Sequence, residues 1–344
     1  MKTFIENLGA LSMAVGTSGD ESAVRKIIYD EVISYPDCIA KTDNAGNLIV
    51  TKKGKKEPKN KLMFSANMDE VGFIITHIDE NGFLKFSSVG NVDGRVIVGK
   101  RVLVGKNSLP GLLGSKAIHL VKKEEFDSPI NTKDLYIDIG AENREEAEKL
   151  VKLGDRAVFD SDFCTFGDGC VLGRALDNRV GCAVLMELLK EKAEYGFTAC
   201  FTVRAEIKGN GASAAAFTVD PDIAVVIESA SAGDIPCVPG DKFMCKQGLG
   251  PVVAFRDSAT LYDLELYQFI NETAKEKGIP VQTKHGVCGE GTAEAIHKTR
   301  GGIRTASVAI PVRYNHGPYA AVKLSDAENT AALIKVLAGG LCEI

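Results

Sequence analysis

The sequence predicts an α/β fold: a mostly parallel sheet built from the two ends of the chain, with a small β-domain inserted between them. Three observations carry this. Helical and strand-like segments alternate over the first sixty-odd residues and again after about residue 167, as in a sheet covered on both faces. Between about residues 71 and 159 the texture changes to short alternating runs separated by turn signals, as in a compact barrel or sandwich. The chain has 344 residues, of which 45% are hydrophobic and 25% charged, which suits a globular protein of two domains. The expected division is 1–68 with 165–344 for the α/β domain, and 69–164 for the inserted β-domain.

The elements follow in order. Phe4 to Val15 reads as an amphipathic helix, Thr17-Ser18-Gly19-Asp20-Glu21 as a turn and cap, and Ser22 to Ser34 as a second helix. Asn44-Ala45-Gly46-Asn47 is a turn before the strand Leu48-Ile49-Val50, and Lys61 to Ala66 is a short apolar run of buried-strand type. Strand runs follow at Gly72–Thr76, Phe83–Phe86, Arg95–Val98, Arg101–Val104 and Leu112–Ser115, with one helix at Asn143–Leu150. Beyond them, helices are expected over Asn178–Lys192, Ala259–Lys277 and Ser325–Leu337. The strands expected there are Thr198–Val203, Ile223–Ile227, Pro280–Thr283 and Thr305–Ile310. Internal repeats and low-complexity tracts are absent from the sequence.

A net charge of −5 and a pI near 5.7 argue against nucleic acid or an acidic membrane surface as partner. The lysine run from Lys52 to Lys61, broken by Gly54 and Pro58, reads as a solvated turn between strands. Apolar stretches stay well short of the ~18 residues a membrane span needs. The start of the chain reads as a helix with an early acid rather than as a signal peptide. Nine scattered cysteines include no Cys-x-x-Cys pair and read as reduced, mostly buried thiols. A cytoplasmic protein is the expectation.

Several polar residues fall at strand ends, where parallel sheets bind ligands. Asn67-Met68-Asp69-Glu70 follows one buried strand, Ala205-Glu206 another, and Glu228 a third. Asp177 starts a helix, where a plain N-cap is the simple reading. His316 lies in the turn Tyr314-Asn315-His316-Gly317-Pro318. Singly each is a cap, a strand-end acid or a loop histidine. Together they crowd carboxylates on one edge of one sheet, where they raise each other's pKa unless a cation relieves them. Zinc, cobalt or manganese accept such oxygen and imidazole donors. His77, His119, His285 and His297 read as solvated or structural.

Ordered segments along the chain carry a resemblance. They include Thr17-Ser18-Gly19-Asp20-Glu21, Asp43-Asn44-Ala45-Gly46-Asn47, Met68-Asp69-Glu70-Val71-Gly72-Phe73 and Gly114-Ser115-Lys116-Ala117-Ile118-His119. Tyr136-Ile137-Asp138-Ile139-Gly140-Ala141, Ala175-Leu176-Asp177-Asn178-Arg179-Val180-Gly181 and Ile310-Pro311-Val312-Arg313-Tyr314 continue the series. Over almost its whole length the chain resembles the tetrahedral aminopeptidases, also described as glutamyl aminopeptidases or cellulase-M-like proteins. That resemblance implies a phosphorylase/hydrolase-like catalytic domain with an inserted β-barrel, two divalent metals, peptide or small-amide substrates, and a homo-oligomer, a hollow dodecamer in the family. By position it makes Asp177 the bridging ligand, Glu206 the glutamate ligand and His316 the late histidine. The other metal site would be Asn67, Asp177 and Glu228, with Asp69 beside them in support.

The chain departs from the family pattern at several of these positions. Asn67 stands for a histidine and Glu228 for an aspartate, and the general-base position is Ala205. Lys208 departs as well, and Glu290-Gly291-Thr292-Ala293 replaces Gly-Gly-Thr-Asp. Alanine cannot take a proton, and losing a positioned base costs on the order of 10²–10⁴ in rate. The expectation is an aminopeptidase-type protein whose turnover is weak or lost and which keeps at least one metal. Two rivals stay open: a catalytically silent binding or regulatory homologue, and an amide hydrolase with Glu290 or Glu70 as substitute base. Glycoside hydrolysis is disfavoured because these acids look committed to metal.

Overall fold

The structure, a computed structural model, describes residues 2–121, 130–208, 210–236, 238–287, 289 and 291–343. In chain order the first part gives α1 (Phe4–Met13), α2 (Ser22–Val32), β1 (Cys38–Thr42), β2 (Leu48–Lys52), β3 (Gly54–Lys56) and β4 (Leu62–Asn67). The middle gives β5 (Gly72–Ile78), β6 (Leu84–Val89), β7 (Arg101–Val104), β8 (Leu109–Gly114), β9 (Tyr136–Asp138), α3 (Arg144–Leu150) and β10 (Arg156–Phe159). Next come β11 (Cys164–Phe166), β12 (Cys170–Gly173), α4 (Leu176–Lys190), β13 (Ala193–Tyr195), β14 (Phe197–Thr202), α5 (Asn210–Val219) and β15 (Ile223–Ser231). The chain closes with β16 (Val252–Ala254), α6 (Leu264–Glu276), β17 (Gln282–Thr283), α7 (Thr292–His297), β18 (Arg304–Arg313), β19 (Ala320–Lys323) and α8 (Leu324–Gly340).

Eleven strands form one mixed sheet in the order β1-β2-β14-β4-β15-β18-β19-β12-β11, with β16 and β17 off that path. Its centre, β14-β4-β15-β18, is parallel. The margins are antiparallel, through β1–β2, β2–β14, β18–β19, β12–β19 and β11–β12. Parallel neighbours present their C-terminal ends on one edge, and that edge carries the polar residues singled out in the sequence.

Both faces of the sheet are buried, so its central strands read as continuous apolar runs. All six residues of β4 are buried. On one face the main core joins Leu8 and Leu11 of α1, Ile28 of α2, Val184 and Leu185 of α4, Leu266 and Ile270 of α6, and Leu333 and Leu337 of α8. On the other face Met63, Cys200, Ala224 and Val226 meet Ala212, Ala215 and Ala216 of α5 and Ala293 and Ile296 of α7.

The middle segment forms a closed barrel in the order β10-β5-β6-β9-β8-β7, so the barrel and not the open sandwich is the solution. Closure removes exposed strand edges. Inside it Phe73 meets Phe86 and Phe159 edge-on, with centroids 4.8 and 5.4 Å apart.

Two sequence expectations are corrected here. Residues 95–98 are not a strand: Gly94–Val96 is a 3₁₀ turn, started by the Asp93 carboxylate accepting from the Arg95 amide at 2.9 Å. The helix expected from Ala259 begins at Leu264, because Asp263 caps it by accepting from the Leu266 amide at 3.0 Å. Residues before that cap are folded around the Asp257 carboxylate, which accepts from the amides of Ala259 and Thr260 and from the Tyr262 hydroxyl.

Candidate functional site

The C-terminal edge of the parallel strands opens onto a cavity of about 650 Å³. It is lined by Asn67, Asp177, Ala205, Glu206, Glu228 and His316, among others, with Asn91 contributed by the chain between β6 and β7. Gly90 has φ +81, and a Cβ there would lie 3.1 Å from the Glu206 Cβ. Glycine lets the loop after β6 close over this acid.

Asp177, Glu206 and His316 come together. The imidazole Nε2 of His316 is 3.5 Å from Asp177 Oδ2 and 3.5 Å from Glu206 Oε2. Its Nδ1 lies 2.9 Å from the carbonyl oxygen of Asn91. A carbonyl only accepts, so Nδ1 carries a proton, and Nε2 is the nitrogen that faces the two acids. Asn315, which the sequence reading passed over, donates to Asp177 Oδ2 at 2.9 Å. Asp177 is not an N-cap: the helix is preceded by Ala175, at φ 56, and Asp177 itself has non-helical dihedrals within the kinked first turn. Its carboxylate is free to face the cavity.

The electrostatics follow from burial and crowding. Burial first, and the charge of Asp177 next, push the Glu206 carboxyl up to about 8. Burial disfavours a charged His316, but its hydrogen bond to Asp177 and the charges of Glu206 and Asp177 outweigh that and push it up to about 9. Burial, with Asp257 adding to it, pushes Glu228 up to about 7.

Asn67 and Glu228 are directed elsewhere. Asn67 donates to Asp69 Oδ1 at 3.2 Å, and its own Oδ1 accepts from Asn178 Nδ2 at 3.0 Å. Asn178 also donates to the carbonyl of Ile227 at 2.8 Å. A carboxylate at one end and a carbonyl at the other fix both amide orientations. Asp69 is buried and spent: Oδ2 accepts from Ser18 Oγ at 2.5 Å and from the Glu206 amide at 3.0 Å. Glu228 Oε2 accepts from Ser307 Oγ at 3.2 Å, and a Cβ at Gly291 would stand 2.5 Å from Oε1.

Of the two candidate substitute bases, Glu70 is buried in an ion cluster. It pairs with Arg174 at 2.9 Å and Arg179 at 3.3 Å and accepts from the Gly16 amide at 3.0 Å. Glu290 lies outside the described residues. Ala205 lines the cavity beside Glu206 and brings no titratable group.

Among the described residues, no group of three or more His, Cys, Asp or Glu side chains is already arranged to hold a metal ion. The two imidazole–carboxylate separations of 3.5 Å are nonetheless close to the donor–donor edge of a tetrahedral zinc site, about 3.4 Å for bonds of about 2.1 Å. In composition, and in the two separations from His316, Asp177, Glu206 and His316 are compatible with one divalent cation. Asn67, Asp177 and Glu228 do not fit a second, since their polar atoms turn to three different sets of partners.

Comparison with known proteins agrees with this architecture. The M42 glutamyl aminopeptidase family matches residues 46–333. A protein of Acetivibrio thermocellus, provisionally named an aminopeptidase, is 38% identical over 330 residues, covering 95% of each chain. The structure of an aminopeptidase from the archaeon Desulfurococcus kamchatkensis superposes with a TM-score of 0.93 at 30% identity, over 98% of this chain and 94% of that one. The Pyrococcus horikoshii TET1 peptidase, which can assemble into a tetrahedron or a large octahedral shell, superposes with a TM-score of 0.87 at 33% identity, over 98% and 99%. With a matching family that spans most of its length, the chain belongs to the M42 glutamyl aminopeptidase family.

Proposed function

We propose that this protein is a metal-dependent aminopeptidase-type protein with one cation site, at Asp177, Glu206 and His316, and with weak or lost peptidase turnover. The observation that supports it is the placement of His316, 3.5 Å from both carboxylates in a cavity whose neighbouring base position is Ala205. A bound zinc, cobalt or manganese ion would polarise a substrate carbonyl and acidify water. The chain's own groups do the rest. His316 is oriented by Asn91 and Asp177 by Asn315. Asp69 sets the Glu206 backbone. Ala205, beside Glu206, brings no group that could pass a proton to a leaving amine.

Peptides or small amides are the ligands this cavity suits, in a cell compartment that keeps thiols reduced, the cytoplasm. No helix among the described residues is long and apolar enough to cross a membrane. Self-association into a dimer or larger assembly, up to a dodecamer, is the expected state, as the Pyrococcus horikoshii relative assembles. Metal analysis of protein purified without chelator, run beside an aminoacyl-chromophore assay with zinc, cobalt and manganese, tests the proposal. About one ion per chain with little turnover supports it. Brisk turnover by the unaltered protein contradicts it. Light scattering that shows only monomer with metal present contradicts the assembly.

A further inference from the structure

The edge of the sheet opposite the candidate metal cavity holds another cavity, of about 390 Å³. It lies where β4 and β14 begin and β2 ends, and it shares no lining residue with the first. The six residues of β4 put roughly 20 Å of strand between the two. Part of its wall is the lysine run that the sequence marks as a solvated turn. Lys53, Lys56 and Lys61 line it, against one acid, Glu57.

The lysines differ in what they have left to offer. Lys52 is withdrawn, its buried Nζ donating to the carbonyls of Pro36 at 2.6 Å and Leu189 at 2.8 Å. Lys56 is held by Glu194 at 2.7 Å. Lys53 and Lys61 are exposed, and neither amine has a hydrogen-bond or ion-pair partner among the described residues. Two nearby acids are engaged elsewhere: Asp222 accepts from the Lys61 backbone amide at 2.7 Å, and Asp220 pairs with Arg300 at 3.1 Å.

Lysines alone would make a solvated patch, but here hydroxyls join them. Thr51 and Thr198 stand opposite each other across the antiparallel β2–β14 pair, so their side chains leave the sheet on one face, with Cβ atoms about 5 Å apart. Thr198 is also in register with Met63, and Lys61, two residues earlier, continues that face. Neither threonine hydroxyl has a hydrogen-bond partner among the described residues. The backbone beneath is close-set, since a Cβ on Gly54 would collide with the amide nitrogen of Gly196.

We propose that this cavity binds a phosphate dianion, either free or carried by a small monoester. Such a group takes ammonium and hydroxyl donors on several oxygens at once, and Lys53, Lys61, Thr51 and Thr198 supply both kinds. Pro58 and Val219, both half-buried, add an apolar side against which a carrier can pack. On a chain of net charge −5, so confined a basic site selects a small anion rather than a nucleic acid.

Calorimetric titration of chelator-treated, metal-free protein tests this independently of any turnover. The probes are glucose 6-phosphate, inorganic phosphate and glucose, at low salt and about pH 8, where phosphate is a dianion. Glucose 6-phosphate should bind at one site per chain, and glucose should not bind. Lys53→Met combined with Lys61→Met should weaken binding about tenfold or more, and Thr198→Val about fivefold, the worth of one hydrogen bond. Lys284→Met, in the other cavity, should change it by less than about twofold. Inorganic phosphate that binds equally well, with the same dependence on both lysines, assigns the site to the free ion. Tighter binding of glucose 6-phosphate assigns it to the monoester. The proposal is overturned if neither phosphate binds below about 10 mM, if binding survives the paired lysine substitution, or if Lys284→Met abolishes it. Thr198→Val leaves every charge in place, so undiminished binding by that variant reduces the site to loose attraction between lysines and an anion and overturns the proposal as well.

Discussion

Asn178 donates its side-chain amide to the Oδ1 of Asn67 at 3.0 Å, and through that contact the strand-end asparagine is locked to the helix that carries Asp177. Asn67 therefore works as one link in a hydrogen-bonded chain from Asp69 to the Ile227 carbonyl. Only one lone pair of its oxygen is left, and an amide oxygen is a poorer zinc ligand than imidazole.

Metal content follows from this asymmetry. Under limiting metal, elemental analysis should give about one ion per chain. His316→Ala should lose that ion, since it removes the nitrogen donor facing both acids. Asn67→Ala should leave the first ion's affinity unchanged within about twofold. Two equally tight ions in the unaltered protein would contradict the assignment.

Glu70 provides a stability prediction that also separates two chemistries. Its carboxylate neutralises Arg174 and Arg179, whose side chains are 3% and 0% exposed, so its removal strands two buried guanidinium groups. Glu70→Gln should destabilise the protein by about 3–5 kcal/mol, read from urea unfolding. Were Glu70 instead the substitute base, the same variant would remain stable and lose only turnover.

Lys208 sits in the cavity wall with φ 75, in the left-handed region where a side chain is strained. Its amide closes a turn onto the carbonyl of Ala205 at 3.1 Å, which holds that conformation in place. Lys208→Gly should raise stability by about 1 kcal/mol, measured as a shift of the unfolding midpoint without change of slope.

Much of this was legible in the sequence because the signals were physical and local. The apolar runs of β4, β14 and β15 mark strands buried on both faces, and alternating short runs mark the barrel. Helix α5 escaped notice because Asn210–Val219 consists mostly of small residues with no charged face and so shows little periodicity. Six-residue α7 is too short to give any. At the site, side-chain types pointed to Asp177, Glu206 and His316, but not to their supports. Asn178, Asn315 and Asn91 reach Asn67, Asp177 and His316 through hydrogen bonds across 111, 138 and 225 residues of chain, a separation that spacing rules do not reach.

The most direct measurement is the turnover of aminoacyl-chromophore substrates by Ala205→Glu and by Ala205→Glu with Asn67→His, against the unaltered protein. Each is assayed with zinc, cobalt and manganese. A carboxylate at 205 enters the cavity beside Glu206, within the wall that holds the candidate cation ligands. The single variant should gain activity, recovering part of the roughly 10²–10⁴ that a positioned base contributes, and the double variant should gain more. A double variant that folds, binds two metals and turns over no faster than the unaltered protein would contradict the proposal that the alanine at 205 limits turnover.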